Sequence, residues 1–300
     1  MVLKLPVYFI VPFVSNETGS GNPAAVCVVP PGQLISQATM SSIAIYLGQP
    51  ETVFAKRRQP CVWELCWYTQ AGLPIVPGGN GTVALAYLLL TELEVGAESV
   101  QLNSSYPGLS SSARLDQDGR VCLTLPAISP RQIDPSHRFT LLRALGKDPH
   151  TFYCGERDLI AVYDSEALVR GLEPDFNLLV QLPYFAFIAT ARGDRGGFVY
   201  RTFITAQGRE QWECPGSAAA LMNLAPLWDT QLHSSQELHA DQLSLRGGEA
   251  WCRLTAGELM EITAACEKRG GPFVFHFPAM SDEDVESTLS NSANGLLFWS

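Results

Sequence analysis

The 300-residue chain is 46% hydrophobic and 17% charged and spreads 20 prolines and 25 glycines along its length, the profile of a turn-rich globular protein with enough chain for two cores of roughly 120 to 150 residues. Its net charge of -10, with no basic run longer than Lys56-Arg57-Arg58, excludes the cationic cluster that nucleic acid or an anionic membrane surface requires. Apolar runs such as Val83 to Leu90 fall well short of the roughly 20 residues of a spanning helix, no basic-then-apolar leader opens the chain, and a cytoplasmic location is expected.

Leu3 to Phe13 and Ala24 to Val29 are rich in Val, Ile, Phe and Tyr and read as strands. The turn-forming stretch between them, Ser15 to Pro23, is a candidate ligand edge that carries Asn22. Apolar residues at Leu34, Ile35, Met40, Ile43, Ala44 and Leu47 predict a helix over Gln33 to Leu47, stopped by Gly48 with Pro50 just beyond. Glu51-Thr52-Val53-Phe54 starts a strand with Val62 to Tyr68 as its hairpin partner, and Asn80 to Leu90 is an apolar helix that must be buried on most sides. Strand-like segments follow at Ser99 to Leu102, Ser110 to Leu115 and Val121 to Leu125. Pro126 to Pro135, with three prolines, is the candidate linker. The second half then repeats the order of the first: a strand at Leu159 to Tyr163, helices at Ser165 to Gly171 and Pro174 to Leu182, strands at Phe185 to Ala191 and Phe198 to Ile204, and a buried helix at Gly216 to Leu227. Leu243, Ala250 to Leu254 and Leu259 to Ala264 supply further strand candidates around an Arg246-Gly247-Gly248 turn, and the acidic tail closes on Leu296-Leu297-Phe298-Trp299, a candidate last strand.

Two stretches share one grammar. Pro77-Gly78-Gly79-Asn80-Gly81-Thr82 and Glu213-Cys214-Pro215-Gly216-Ser217-Ala218 each run a Pro/Gly turn into a small-residue helix, about 135 positions apart. Unpaired N–H groups at a helix N-terminus hold anions and lower the pKa of a nearby thiol. Two half-sites facing one ligand are therefore expected, with Cys214 favoured as thiolate. Glu51, between a Gly-Gln-Pro turn and an apolar strand, stands where partial burial would lift its pKa into the general acid/base range. Each piece also has an ordinary structural reading: an exposed strand-start glutamate, a core thiol, a positive-φ turn with a helix cap. Together, a carboxylate, a thiol and two anion-holding helix ends make the set that grips a carboxylate or enolate and moves the proton on the neighbouring carbon. The eight cysteines show no C-x-x-C pair and the five histidines are scattered, so neither disulfides nor a zinc site is expected.

Several short segments occur in one order: Gly21-Asn22-Pro23-Ala24-Ala25-Val26-Cys27, Pro50-Glu51-Thr52-Val53-Phe54, Gly79-Asn80-Gly81-Thr82, Arg157-Asp158-Leu159-Ile160, Pro174-Asp175-Phe176, Ala225-Pro226-Leu227-Trp228 and Gln242-Leu243-Ser244-Leu245-Arg246-Gly247-Gly248. In these the chain resembles the phenazine-biosynthesis PhzF-like family, relatives of diaminopimelate epimerase and proline racemase. The resemblance implies an α+β fold of two pseudo-symmetric domains of the diaminopimelate epimerase-like type, residues 1–129 and 130–300, each a barrel-like mixed β-sheet around a central helix. It further implies a cofactor-free, metal-free interdomain site, a small carboxylated substrate and a homodimer. Glu51 matches the family's proton-moving glutamate. The chain departs from the family pattern at Asn80, where a histidine is usual, and at Cys214, where an aspartate is usual; both changes look toward the racemase relatives, although the first racemase thiol is replaced by Gly78. The expectation is a cofactor-independent isomerase or epimerase with Glu51 and Cys214 as opposing acid and base. Asn22, Gly79, Asn80, Gly81, Thr82, Gly216, Ser217 and Ala218 are expected to hold the substrate. The alternatives are a rearrangement or cyclisation enzyme with Glu51 as sole acid, and a binding protein on a decayed enzyme scaffold.

Overall fold

A computed structural model describes residues 2–76, 78–105, 110–205, 211–232, 237–256 and 258–278. The candidate strand at Leu296 to Trp299 lies outside them. The first part of the chain forms β1 (Val2–Pro12), β2 (Ala24–Val29), α1 (Gln37–Leu47), β3 (Glu51–Gln59), β4 (Val62–Thr69), β5 (Pro74–Ile75), α2 (Asn80–Leu88), β6 (Val100–Ser104), β7 (Ser110–Leu115) and β8 (Val121–Pro126). The rest forms β9 (Arg131–Ile133), α3 (Arg138–Leu145), β10 (Thr151–Cys154), β11 (Asp158–Val162), α4 (Glu166–Arg170), α5 (Phe176–Leu179), β12 (Ala186–Arg192), β13 (Phe198–Ile204), β14 (Trp212–Cys214), α6 (Ala218–Leu232), β15 (Leu238–Gln242), β16 (Gly248–Thr255), β17 (Leu259–Ala264) and β18 (Cys266–Pro278).

Strand pairing repeats between the halves, which makes the pseudo-symmetry visible although the sequence shows no repeat. In the first, β1 runs antiparallel to β2, β2 parallel to β3, β3 antiparallel to β4, β4 parallel to β6, and β6, β7 and β8 antiparallel in turn. In the second, β10, β11, β12, β13, β15, β16 and β17 follow the same alternation. The short β5 on β4 and β14 on β13 occupy corresponding places, immediately before α2 and α6. The seam is β8 against β17, antiparallel.

Expectation and structure differ at several boundaries. Residues 131–133, inside the expected linker, are a strand paired with β10, and α3 was not foreseen. Residues 266–278, counted with the second half in the sequence, pair along β1. An apolar buried strand leaves hydrogen-bonding groups on both edges that water cannot reach, and β1, flanked by β2 on one side, takes β18 on the other. The first helix starts four residues later than its apolar spacing suggests because Ser36 caps it, its side chain accepting from Thr39 N–H. The second buried helix starts at Ala218, with Ser217 Oγ accepting from Ala220 N–H at 3.2 Å, so Gly216 and Ser217 lead into it.

Helix α2 is buried from Asn80 to Ala86 and α6 from Ala218 to Trp228. Both contribute to one core that includes Val83, Leu85, Leu221 and Leu224. Their runs of Gly and Ala let the sheets close around the helices at interior packing density. Separate clusters lie beneath α1 (Ile43, Phe54) and beneath α3 to α5 (Leu141, Phe187, Phe203). Among the described residues no helix is long and apolar enough to cross a membrane.

Candidate active site

Glu51 is the first residue of β3, held between Ala24 of β2 and Thr69 of β4. Its side chain turns inward, and the residue is 5% exposed. One carboxylate oxygen accepts the Gly81 N–H at 2.8 Å, at the first turn of α2. Burial lifts the Glu51 pKa to about 7, against the pull of N–H groups at Gly81 and Gly79 and of the Arg157 charge.

The glycines around this carboxylate are there for space. A Cβ on Gly81 would lie 2.4 Å from Glu51 Oε1, and one on Gly78 would lie 2.6 Å from the same atom and 2.1 Å from the Trp67 ring. The Trp67 ring and the Glu51 carboxylate thus fill the volume that any side chain at residue 78 would need.

Cys214 ends β14, opposite Thr202 of β13, and is as buried as Glu51. Its Sγ donates to the Gly216 carbonyl at 3.2 Å and accepts from Asn22 Nδ2 at 3.5 Å. Asn22 Nδ2 also donates to the Gly216 carbonyl at 2.6 Å, and Gln242 donates to the Cys214 carbonyl. The expectation of a thiolate is overturned. Burial, reinforced by the negative charge of Glu51, pushes the thiol up to about 12. A helix N-terminus lowers a thiol pKa when the sulfur can be solvated or hydrogen-bonded as an anion; here desolvation outweighs it, and the S–H serves as a donor.

The two helix mouths meet. A Cβ on Gly79 would lie 2.8 Å from Ala218 N and 2.9 Å from Ala219 N. Gly79 therefore abuts the first turn of α6, while Gly81 faces Glu51, and two of the polar side chains nearby, Thr82 and Asn80, are engaged with the backbone. Thr82 Oγ1 donates to the Gly78 carbonyl at 2.6 Å and accepts from Trp67 Nε1 at 2.9 Å. Asn80 Nδ2 reaches the Pro23 carbonyl at 3.4 Å, tying the α2 mouth to the Asn22 loop. A narrow pocket runs along both mouths, lined in part by Trp67, Gly78, Gly79, Ala218, Ala219 and Met222.

Trp67 and Phe13, which the sequence did not single out, and Gln242, which it marked only as part of a longer segment, also build the site. Phe13 is buried with a φ of 63°, unusual for a bulky residue, and its ring lies 3.2 Å from where a Gly216 Cβ would be. The detectable signal was Gln242, a polar residue ending a strand, with glycines downstream. Elsewhere His239 lies 3.2 Å from Glu249 and 3.6 Å from Asp241; Arg195 also pairs with Asp241, at 2.9 Å.

Titration of Glu51 is linked to stability. In the unfolded chain a glutamate has a pKa of about 4.3, below the folded value of about 7, so between these values the folded state binds the extra proton. The stability that protonated Glu51 contributes is full below about pH 4.3 and is lost as pH rises through 7, on the order of 3 kcal/mol in total. Urea unfolding at a series of pH values is expected to show Glu51→Gln gaining on the wild type across this window and exceeding it at pH 8. Parallel stability curves would show that Glu51 is not desolvated.

The family model described as phenazine biosynthesis-like protein matches residues 13–270. An uncharacterized isomerase from Pseudomonas aeruginosa is 32% identical over 249 residues, covering 83% of this chain and 90% of that protein. The crystal structure of a phenazine biosynthesis protein of the PhzF family from Enterococcus faecalis superposes with a TM-score of 0.79 at 29% identity, covering 92% of this chain and 100% of that one. A hydroxyproline epimerase from Agrobacterium vitis, with bound trans-4-hydroxy-L-proline, shares the fold with a TM-score of 0.57 at 10% identity, covering 94% of each chain.

Proposed function

The chain belongs to the phenazine biosynthesis-like protein family and is an enzyme of the isomerase type, and from that premise we propose that it moves a proton on the carbon beside a carboxyl or carbonyl of a small carboxylated metabolite. Glu51 and Cys214 are the opposing base and acid. The observation that supports this most directly is the convergence, at two touching helix N-termini, of a buried carboxylate with a pKa of about 7 and a thiol kept neutral.

In this reading ionised Glu51 takes the proton, and the C–H electron pair passes into the adjacent carbonyl as an enolate. Cys214 then gives its S–H proton to the opposite face of the carbon. Protonated Glu51 and the thiolate exchange with solvent to reset. In this reading the N–H groups of Ala218 and Ala219 face the developing oxyanion, which is where preorganised donors lower a barrier most. Asn22 positions the sulfur through Gly216. The bound hydroxyproline of the A. vitis epimerase is a substrate of the same chemical kind, a small carboxylate with a labile carbon-bound proton. Contact between the mouths means that the halves part to admit it. We place those halves at residues 1–129 and 130–300, with 266–278 returned to the first; a cytoplasmic, cofactor-independent homodimer belongs to the same reading.

The test is a proton-exchange screen in D2O over amino acids and chorismate-like acids, read by NMR. Deuterium is expected to wash into the carbon beside the carboxyl of the substrate. Cys214→Ala is expected to slow this by about 100 to 10,000-fold; wash-in at the wild-type rate would remove Cys214 from the mechanism. A second reading is favoured by the neutral thiol itself: a rearrangement or cyclisation with Glu51 as sole acid. It predicts turnover that survives Cys214→Ala.

A further inference from the structure

Arg157 lies in the turn between β10 and β11, in the second half of the chain, and reaches into the first. Its Nη1 donates to the Val76 carbonyl at 2.9 Å, on the segment that joins β5 to the Gly78-Gly79 turn. Its Nε stands 3.4 Å from Asp158 Oδ1, and its guanidinium lies 4.3 Å from the centre of the Phe185 ring. Asp158 is 3% exposed, and its Oδ1 has no hydrogen bond among the described residues; the Arg157 charge and the Ala186 N–H offset part of that desolvation. The turn itself is fixed. Gly155 N–H donates to the Asp158 carbonyl at 3.0 Å and Phe185 N–H to the Arg157 carbonyl at 2.9 Å. A Cβ on Gly155 would lie 2.3 Å from Asn223 Oδ1 of α6. A fork held by a carbonyl, a carboxylate and a ring has little freedom, and an arginine stays charged at any physiological pH.

We propose that Arg157 is a positioning residue for the acid/base site: it latches a second-half turn onto Val76, two residues before the Gly78 backbone against which the Glu51 carboxylate packs, and so brings a fixed positive charge to the Glu51 side of the α2 mouth. The functional consequence rests on the reading of Glu51 as the proton-moving group, but the latch and the charge are measurable without turnover. Ala24 of β2 and Thr69 of β4 flank Glu51 in the sheet, the Gly81 N–H donates to its carboxylate, the Trp67 ring and the carboxylate lie about Gly78, and the titratable group coupled to it is Cys214 of β14. Cys214 stays protonated, its thiol pushed up to about 12. Among the groups that shift Glu51, Arg157 supplies the charged side chain, and its field favours the carboxylate.

The experiment is an NMR titration of protein carrying 13C-labelled glutamate, with the Glu51 signal assigned by its loss in Glu51→Gln. Arg157→Gln is expected to raise the Glu51 midpoint by more than about 0.3 pH unit, and Arg157→Lys, which keeps the charge, to leave it within about 0.3 unit of wild type. Hydrogen exchange at the Gly78 and Gly79 amides is expected to accelerate in both variants, because the ammonium cannot reproduce the planar fork. Arg157→Met, which keeps the packing on Phe185, is the second neutral variant should Arg157→Gln fail to fold. An unchanged midpoint in a folded neutral variant overturns the proposal, as does unchanged exchange at the mouth. Full proton-exchange activity in Glu51→Gln would instead overturn the acid/base reading and leave the latch standing.

Discussion

Glu51→Gln is expected to lower deuterium wash-in and turnover by about 100 to 10,000-fold, the usual loss when a positioned acid or base is removed. The substitution isolates proton transfer from structure. Glutamine has the same length, and its amide oxygen can still accept the Gly81 N–H, which Glu51 accepts at 2.8 Å. The hydrophobic surroundings that lift the Glu51 pKa suit a neutral amide better than a carboxylate, so the variant should fold at least as well at neutral pH. What disappears is the ability to take and return a proton. The wild-type rate itself should rise with pH through about 7 as Glu51 ionises, and the residual rate of the variant should lose that dependence. Near-full wash-in by a folded Glu51→Gln would remove the carboxylate from the mechanism.

The second large effect is expected at Gly79→Ala. The Gly79 φ is -93°, a conformation open to any residue, so backbone freedom is not the reason for glycine here. The reason is the neighbour: the added Cβ would lie 2.8 Å and 2.9 Å from the backbone nitrogens of Ala218 and Ala219 and 3.1 Å from the Ala218 Cβ. These atoms belong to the first turn of a buried helix and cannot yield unless α6 moves. Overpacking of this kind costs about 1 to 3 kcal/mol. Displacing the donors by about 1 Å relative to Glu51 and Cys214 is expected to cost on the order of 100-fold in rate. Urea unfolding and the wash-in assay together check it. A variant with wild-type stability and rate would show that the mouths are not in contact. Gly81→Ala makes a useful contrast, since its Cβ would meet the Glu51 carboxylate at 2.4 Å, so the rate should suffer through the base itself.

Much of the architecture was legible because local pattern encodes local burial. Apolar strands at Leu3 to Phe13 and Phe198 to Ile204, the small-residue helices after Gly79 and Ser217, and the repeated order of elements all follow from side-chain period and turn chemistry. The boundaries missed were set by other forces. Ser36 rather than the first apolar residue starts α1, and β18 is recruited by the open edge of β1, a requirement of a distant strand that no window of sequence displays.

By itself the sequence determined that a strand-start carboxylate, Glu51, a thiol, Cys214, and two helices opened by small residues exist. Only the tertiary structure decided what surrounds each of them. Asn22 touches the Cys214 sulfur from 192 positions away, and the mouths abut because glycine and alanine face each other there. Cys214 is a thiol rather than a thiolate because it is buried beside Glu51, and Gly78 is a glycine because Trp67 and Glu51 fill its space. Charge state depends on desolvation and on neighbouring charges, and both are properties of the folded surroundings rather than of the local chain.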